Sequence, residues 1–241
     1  MKVAVVVLLA LGLCVLPGHM VTGAAPSAAG AVAYLDLPDG FGMGEEEEPM
    51  GEYIDFYADE YEGNAFFFVL DRSSSMRETT ASGEQKFAVL KRETIRALQG
   101  LTSRSVVCLV FYDKSNDPLT FGDPPIKMEA NAKANLIGRV AGVQLSEGSC
   151  MTKGAEKALG IAGKTQHEFR TMILTADGRT HCDGAELSAE TVASRILAKN
   201  TKRMPINTIY TGKQTGEDWE KGKPLLERLA RATGGRFKIA K

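Results

Sequence analysis

The stretch FFFVLDRSSSM, residues 66–76, decides how this chain is read. Five apolar residues run straight into Asp71, and hydroxyl side chains follow at Ser73 and Ser75. A run that is apolar on both faces suits a strand covered by helices on both sides, so Asp71 is expected at the end of a buried strand. Residues two apart in an extended turn project the same way, which lets Ser73 and Ser75 converge while Arg72 and Ser74 point elsewhere. One loop thus offers three oxygen donors, the ligand type that hard cations such as Mg²⁺ or Mn²⁺ take.

Further along, short β-rich runs recur at SVVCLVFY (105–112), TMILT (171–175), INTIY (206–210) and RFKIA (236–240). Helical spacing fills the intervals. Phe87, Leu90, Thr94, Ala97, Leu98 and Leu101 share one face of an amphipathic helix. Leu225, Leu226, Leu229 and Ala230 repeat the pattern before Gly234 and Gly235 stop it. Ser188 is placed to cap a helix carrying Val192, Ile196 and Leu197. The alternation predicts a doubly wound, Rossmann-like α/β domain, with a mostly parallel sheet and helices on both faces. Residues 113–128, broken by Pro118, Pro124 and Pro125, read as an irregular edge connection. Sites in such sheets lie at the carboxyl ends of strands where strand order reverses. Asp71 is at one such end, and MILTADG puts Asp177 at another.

The two ends of the chain differ from this domain. Lys2 precedes an apolar run from Val3 to Leu16, and the small-residue segment after it offers Thr22-x-Ala24 as a cleavage signal. Residues 1–29 are therefore expected to be a secretory signal peptide, which sends the protein to the periplasm or the extracellular space. The run is shorter than the roughly 20 residues of a membrane span, so no stable span is expected. Residues 30–64 hold eleven Asp or Glu and no Lys or Arg, and are expected to be an acidic low-complexity linker, although Tyr53, Phe56, Tyr57 and Tyr61 interrupt it. Residues 65–241 then carry 28 basic and 19 acidic residues, a net charge of +9. The arm either serves as a solvated tether or folds back on the domain. The basic charge raises nucleic acid as a partner, but Lys and Arg are scattered with no aromatic interleaving, so no nucleic acid is expected.

Taken together, FFFVLDRSSSM and LTADG resemble a von Willebrand factor A domain of the bacterial secreted type. The metal-ion-dependent adhesion site of that family opens with Asp-x-Ser-x-Ser, matched by Asp71, Ser73 and Ser75, and uses a later aspartate, matched by Asp177. INTIYTG and LARATGGRFKIA resemble the family's last strands and last intervening helix, so the similarity spans 65–241. The family's threonine is the point of departure. Aligned on GSCMTKGAEKAL (148–159), Ser149 falls at its position, with Thr152 the alternative if the helix begins later. The resemblance implies that Ser73, Ser75 and the second-loop hydroxyl bind Mg²⁺ or Mn²⁺ directly, with Asp71 and Asp177 acting through water. It also implies a partner protein that offers a carboxylate to the open position. The acidic arm of this chain, Glu45 to Glu48 first, is a candidate intramolecular ligand.

Cys150 and Cys182 both fall on loops of the site face and are candidates for a disulfide; His181 beside Cys182 raises a zinc alternative. Cys108 lies mid-strand as a small hydrophobe. Two other functional readings stand beside the metal-dependent binding module. One is an A-like structural domain with a degenerate site that binds partners without metal. The other is a haloacid-dehalogenase-like phosphatase, which needs a second carboxylate where Ser73 stands. No G-x-S-x-G elbow or phosphate-cradling glycine loop supports catalysis, and the chain is not expected to be an enzyme.

Overall fold

The computed structural model describes residues 51–240 with the exception of Arg179. The expected signal peptide and the first part of the acidic arm lie outside the described residues. The arm's last part is not a linker. β1 (Glu52–Asp55) and β2 (Glu60–Gly63) form an antiparallel hairpin, with Ile54 opposite Tyr61 and both buried. The expected boundary after residue 64 is therefore corrected: folded structure begins before it, because alternation of period two turns Ile54 and Phe56 inward and leaves Tyr53 in water.

The main sheet follows the expected pattern. Among the described residues its strands are β3 (Ala65–Asp71), β4 (Val106–Tyr112), β5 (Leu119–Lys127), β6 (Arg170–Ala176), β9 (Ile206–Tyr210) and β10 (Phe237–Ile239). A two-residue pair, β7 (His181–Cys182) and β8 (Ala185–Glu186), stands apart from it. The six strands run in the order β10-β9-β6-β3-β4-β5, all parallel except β5, which pairs antiparallel with β4. The segment read as an irregular connection is thus an edge strand. An edge tolerates Pro124 and Pro125 because one side of its backbone needs no partner. Gly122, at φ +104°, sits where β5 bulges past β4, and a Cβ there would meet the Val107 carbonyl oxygen at 2.6 Å.

Five helices cover the sheet among the described residues: α1 (Lys86–Gly100), α2 (Ala130–Gly142), α3 (Met151–Ala162), α4 (Ala189–Lys199) and α5 (Glu217–Thr233). Ser188 caps α4 as expected, its hydroxyl accepting from the Thr191 N–H at 3.1 Å. α3, α4 and α5 pack on one face, where Ala155, Ile196 and Leu226 meet Phe67, Val110 and Leu174. On the other face Leu90, Leu98 and Val140 of α1 and α2 meet Phe66, Phe68 and Leu109, together with Ile54, Phe56, Tyr57 and Tyr61 of the hairpin. The hairpin therefore takes the third covering place on the face that has only two helices. Hydrogen bonds hold it at both sides: the Tyr57 N–H donates to Glu93 Oε2 of α1 at 3.2 Å, and Lys238 Nζ donates to the Ala58 carbonyl at 2.8 Å. The Arg236 guanidinium stacks over the Tyr61 ring at 5.0 Å.

Candidate metal-binding site at the carboxyl edge of the sheet

β3 has β4 on one side and β6 on the other, and the chain visits β4 and β5 before crossing back to β6. Strand order reverses at β3, and the loops that follow β3 and β6 flank that point. Asp71 ends β3 and Asp177 directly follows β6, so two distant stretches of sequence meet in one crevice. The Asp71 carboxylate is completely buried. Its Oδ1 accepts the Ser73 N–H at 2.7 Å, and its own N–H donates to Thr175 Oγ1 at 3.2 Å. The Tyr112 hydroxyl donates to Asp71 Oδ2 at 3.0 Å and to the Thr175 carbonyl at 2.8 Å.

The Ser73 and Ser75 hydroxyls lie 2.8 Å apart. Adjacent ligands of an octahedral ion at about 2.1 Å are separated by roughly 3.0 Å, so the pair is spaced as neighbouring ligands of Mg²⁺ would be. Ser75 also contacts the Asp177 carboxylate, and the Ser149 hydroxyl contacts Tyr112. The structure thus brings Asp71, Ser73, Ser75, Ser149 and Asp177 into one connected group. Among the described residues no bond of that group reaches Thr152, whose buried Oγ1, in the first turn of α3, has no hydrogen-bond partner there. The residues present fit a hard divalent ion: hydroxyl and carboxylate oxygens gather, and the carboxylates are held at a cost. Burial first, then the neighbouring Asp177, pushes Asp71 up to about 7 against the Ser73 and Tyr112 hydrogen bonds. Burial likewise raises Asp177, while Lys86 and Ser75 pull it down. Among the described residues no group of three His, Cys, Asp or Glu side chains is arranged to hold a metal, so an ion here would rely on the hydroxyls.

Ser149 is stitched in place from the side. Its carbonyl accepts from the His181 N–H at 2.6 Å and from Thr180 Oγ1 at 3.1 Å, while the Met151 N–H donates to Thr180 Oγ1 at 3.0 Å. Cys150 and Cys182 are joined by a disulfide across the same two segments, which takes both sulfurs away from the zinc alternative. A second brace ties the loop after β3 to the loop after β4. Arg72 pairs with Asp113 at 2.5 Å, the Ser146 N–H donates to the Arg72 carbonyl, and the Cys150 N–H to the Asp113 carbonyl.

Sequence reasoning missed Tyr112, Thr175 and Lys86. Tyr112 had half a signal: it ends a buried apolar strand, but its place beside Asp71 comes from the register of β3 and β4. Lys86 had none. It is the first residue of α1, only 5% exposed, with its ammonium 3.0 Å from Glu78 Oε2 and 3.6 Å from Asp177 Oδ2. A cation at a helix amino end opposes the helix dipole, so its place is set by those two carboxylates and not by the helix.

No family model and no curated protein matches the sequence. Solved structures do match in fold. The pilus adhesin SpaC of Lactobacillus rhamnosus GG, in its open conformation, aligns with 74% of this chain and 28% of its own at 10% identity and a TM-score of 0.59. A von Willebrand factor type A protein of Catenulispora acidiphila aligns with 76% of this chain and 40% of its own at 19% identity and a TM-score of 0.56. The vWF domain of the type V pili tip protein Mfa5 of Porphyromonas gingivalis aligns over 78% of this chain and 90% of its own at 13% identity and a TM-score of 0.54. The chain spans well under half the length of the first two. The fold is that of a von Willebrand factor A domain.

Proposed function

We propose that this chain is an exported, divalent-cation-dependent protein-binding module of the adhesion type, with no catalytic role. The observation that carries the reading is the convergence of Asp71, Ser73, Ser75, Ser149 and Asp177 from three loops at the carboxyl edge of the sheet. Mg²⁺ or Mn²⁺ would be held by Ser73, Ser75 and Ser149, with Asp71 and Asp177 supporting the ion through hydrogen bonds. The ion supplies a positive charge with room for a partner's carboxylate. Structural likeness to a pilus adhesin and to a pilus tip protein's vWF domain supports adhesion as the class of interaction. Among the described residues no helix is long and apolar enough to cross a membrane. The run Glu45 to Glu48 stays a candidate for the carboxylate, and a chain without residues 30–50 that binds an external partner no differently would remove it.

A second reading, partner binding without metal, draws on Lys86, whose ammonium already puts a positive charge against Asp177. A thermal melt separates the two. Ion at a hundred times its dissociation constant should add about 2.7 kcal/mol, several degrees for a domain of this size. The rise should vanish in Asp71→Asn and shrink in Ser149→Ala; if Thr152→Val removes it instead, Thr152 is the ligand. No rise with Mg²⁺ or Mn²⁺ at millimolar concentration refutes the metal-dependent reading.

A further inference from the structure

Lys86 places a tethered cation in the crevice assigned above to a divalent ion. Its side chain is buried, and its ammonium stands 3.0 Å from Glu78 Oε2 and 3.6 Å from Asp177 Oδ2. We propose that Lys86 is the resident counter-ion of this site: it neutralises Asp177 while no metal is bound, and by opposing the divalent ion it sets the concentration at which the ion enters. The inference rests on the metal-dependent reading above and gives Lys86 the tuning of ion affinity.

The ammonium is held in a fixed relation to Ser75. The Lys86 N–H donates to the Glu78 carbonyl at 2.9 Å, and the Glu78 N–H donates to the Ser75 carbonyl at 3.0 Å. Glu78 therefore grips Lys86 at both ends, backbone and ammonium, and Ser75 grips Glu78. Asp177 closes the circuit, because its carboxylate touches both the Ser75 hydroxyl and Lys86. A lysine near a surface ordinarily takes its charged end out to water. Here that end stays between the loops that follow β3 and β6, at a helix terminus whose dipole repels it.

The charge balance shows what the ammonium does to a metal. Asp218 packs against Gly178, beside Asp177, and Lys213 Nζ lies 3.4 Å from Glu78 Oε2. Among the described residues the crevice thus sets four carboxylates, Asp71, Asp177, Glu78 and Asp218, against two ammoniums, Lys86 and Lys213. With all six ionised the net charge is −2, which one divalent ion cancels. A buried carboxylate without a cation beside it is costly, so in the ion-free chain Lys86 supplies part of the neutralisation that a metal brings. Once a metal enters, the same ammonium repels it. Even at the dielectric constant of bulk water, a unit charge about 6 Å from a divalent ion alters its affinity roughly tenfold. Lys213 lies beyond Glu78 and is largely exposed, so solvent and salt screen it.

The test titrates Mg²⁺ and Mn²⁺ by calorimetry into the full native chain, Lys86→Met, Lys86→Arg and Lys213→Met, and melts each chain in EDTA. Lys86→Met is expected to bind the ion at least roughly tenfold tighter than the native chain and to melt lower in EDTA. Lys86→Arg, which keeps the charge, and Lys213→Met, which removes a screened one, should both bind within about threefold of native. Should Lys86→Met fail to fold, Lys86→Gln takes its place. The native chain also carries its own readout: with lysines labelled at ¹³Cε, Mg²⁺ should shift the Lys86 signal well beyond the Lys213 signal. Unchanged or weaker ion affinity in the neutral Lys86 variants, an equal gain in Lys213→Met, or an unmoved Lys86 signal in the ion-saturated native chain overturns the inference while the proposed function stands. Binding absent from the native chain and from every Lys86 variant overturns both. Binding absent from the native chain but present in Lys86→Met supports both.

Discussion

Glu52 lies in the stretch that composition marks as a loose acidic arm, yet it is 6% exposed and accepts hydrogen bonds from four donors. Its carboxylate receives the Ser105 hydroxyl at 2.6 Å, the Thr102 N–H at 3.0 Å, the Thr102 hydroxyl, and Arg104 Nε at 3.1 Å. Arg104 is exposed and contributes little. Of the three remaining bonds the one from Ser105 is buried and the two from Thr102 are part-buried; together they are worth roughly 3–4 kcal/mol to a charged acceptor, and Glu52→Ala should cost about that much. At ~2–4 °C per kcal/mol for a domain of this size, the melting temperature should fall by about 10 °C, against less than ~2 °C for the exposed Asp55→Ala. Burial by itself would raise the Glu52 carboxyl, but Ser105, Thr102 and Arg104 together hold it below its ordinary value. A lowered folded pKa gives stability that is complete above the unfolded value and is lost as pH falls through the folded one. The gap between the native chain and Glu52→Gln, followed by urea unfolding, should therefore be full at pH 7, begin to shrink as pH falls through the unfolded glutamate value of about 4.3, and close once pH is below the folded value. A Glu52→Ala chain that melts within ~2 °C of the native one would refute the anchoring of the hairpin.

Two shorter expectations follow from the braces around the site. Tyr112→Phe removes one donor shared by Asp71 and the Thr175 carbonyl and should cost about 1–2 kcal/mol, while weakening the ion-induced stabilisation measured by the same melt. Reduction of Cys150–Cys182, which closes a span of 32 residues, should lower stability by roughly 3–4 kcal/mol and loosen Mg²⁺ binding, because Ser149 loses its tether. Calorimetry with and without reductant checks both effects, and unchanged ion binding in the reduced chain would separate Ser149 from the disulfide.

What could be read ahead of the structure was whatever the chain states locally. The buried strands β3, β4, β6 and β9 announce themselves by apolar runs, and Asp71 and Asp177 by ending two of them. β5 was hidden because its prolines argue against a strand unless the strand is known to lie at an edge, and an edge is a property of the assembled sheet. The hairpin was hidden for the opposite reason: its acidic content outweighed an alternation only a few residues long. Tyr112 and Lys86 acquire their roles from register and from a neighbouring loop, neither of which a linear pattern carries.

The hairpin also sets how the domain would respond to tension. Glu52 faces Gly63, which leads within two residues into the central strand, so a pull on the chain ahead of Gly51 is opposed by the β1–β2 ladder one rung at a time, starting with Glu52. Such a ladder unzips at low force, since each pair is loaded alone, in contrast to the parallel strands behind it, which share a load along their length. Releasing residues 52–63 lengthens the tether by about 40 Å and takes Tyr57 away from Glu93 while leaving β3 and Asp71 in the sheet. Releasing the hairpin would also uncover the sheet face that Ile54, Phe56 and Tyr61 now cover, so tension on this arm would be felt first in the core beneath it.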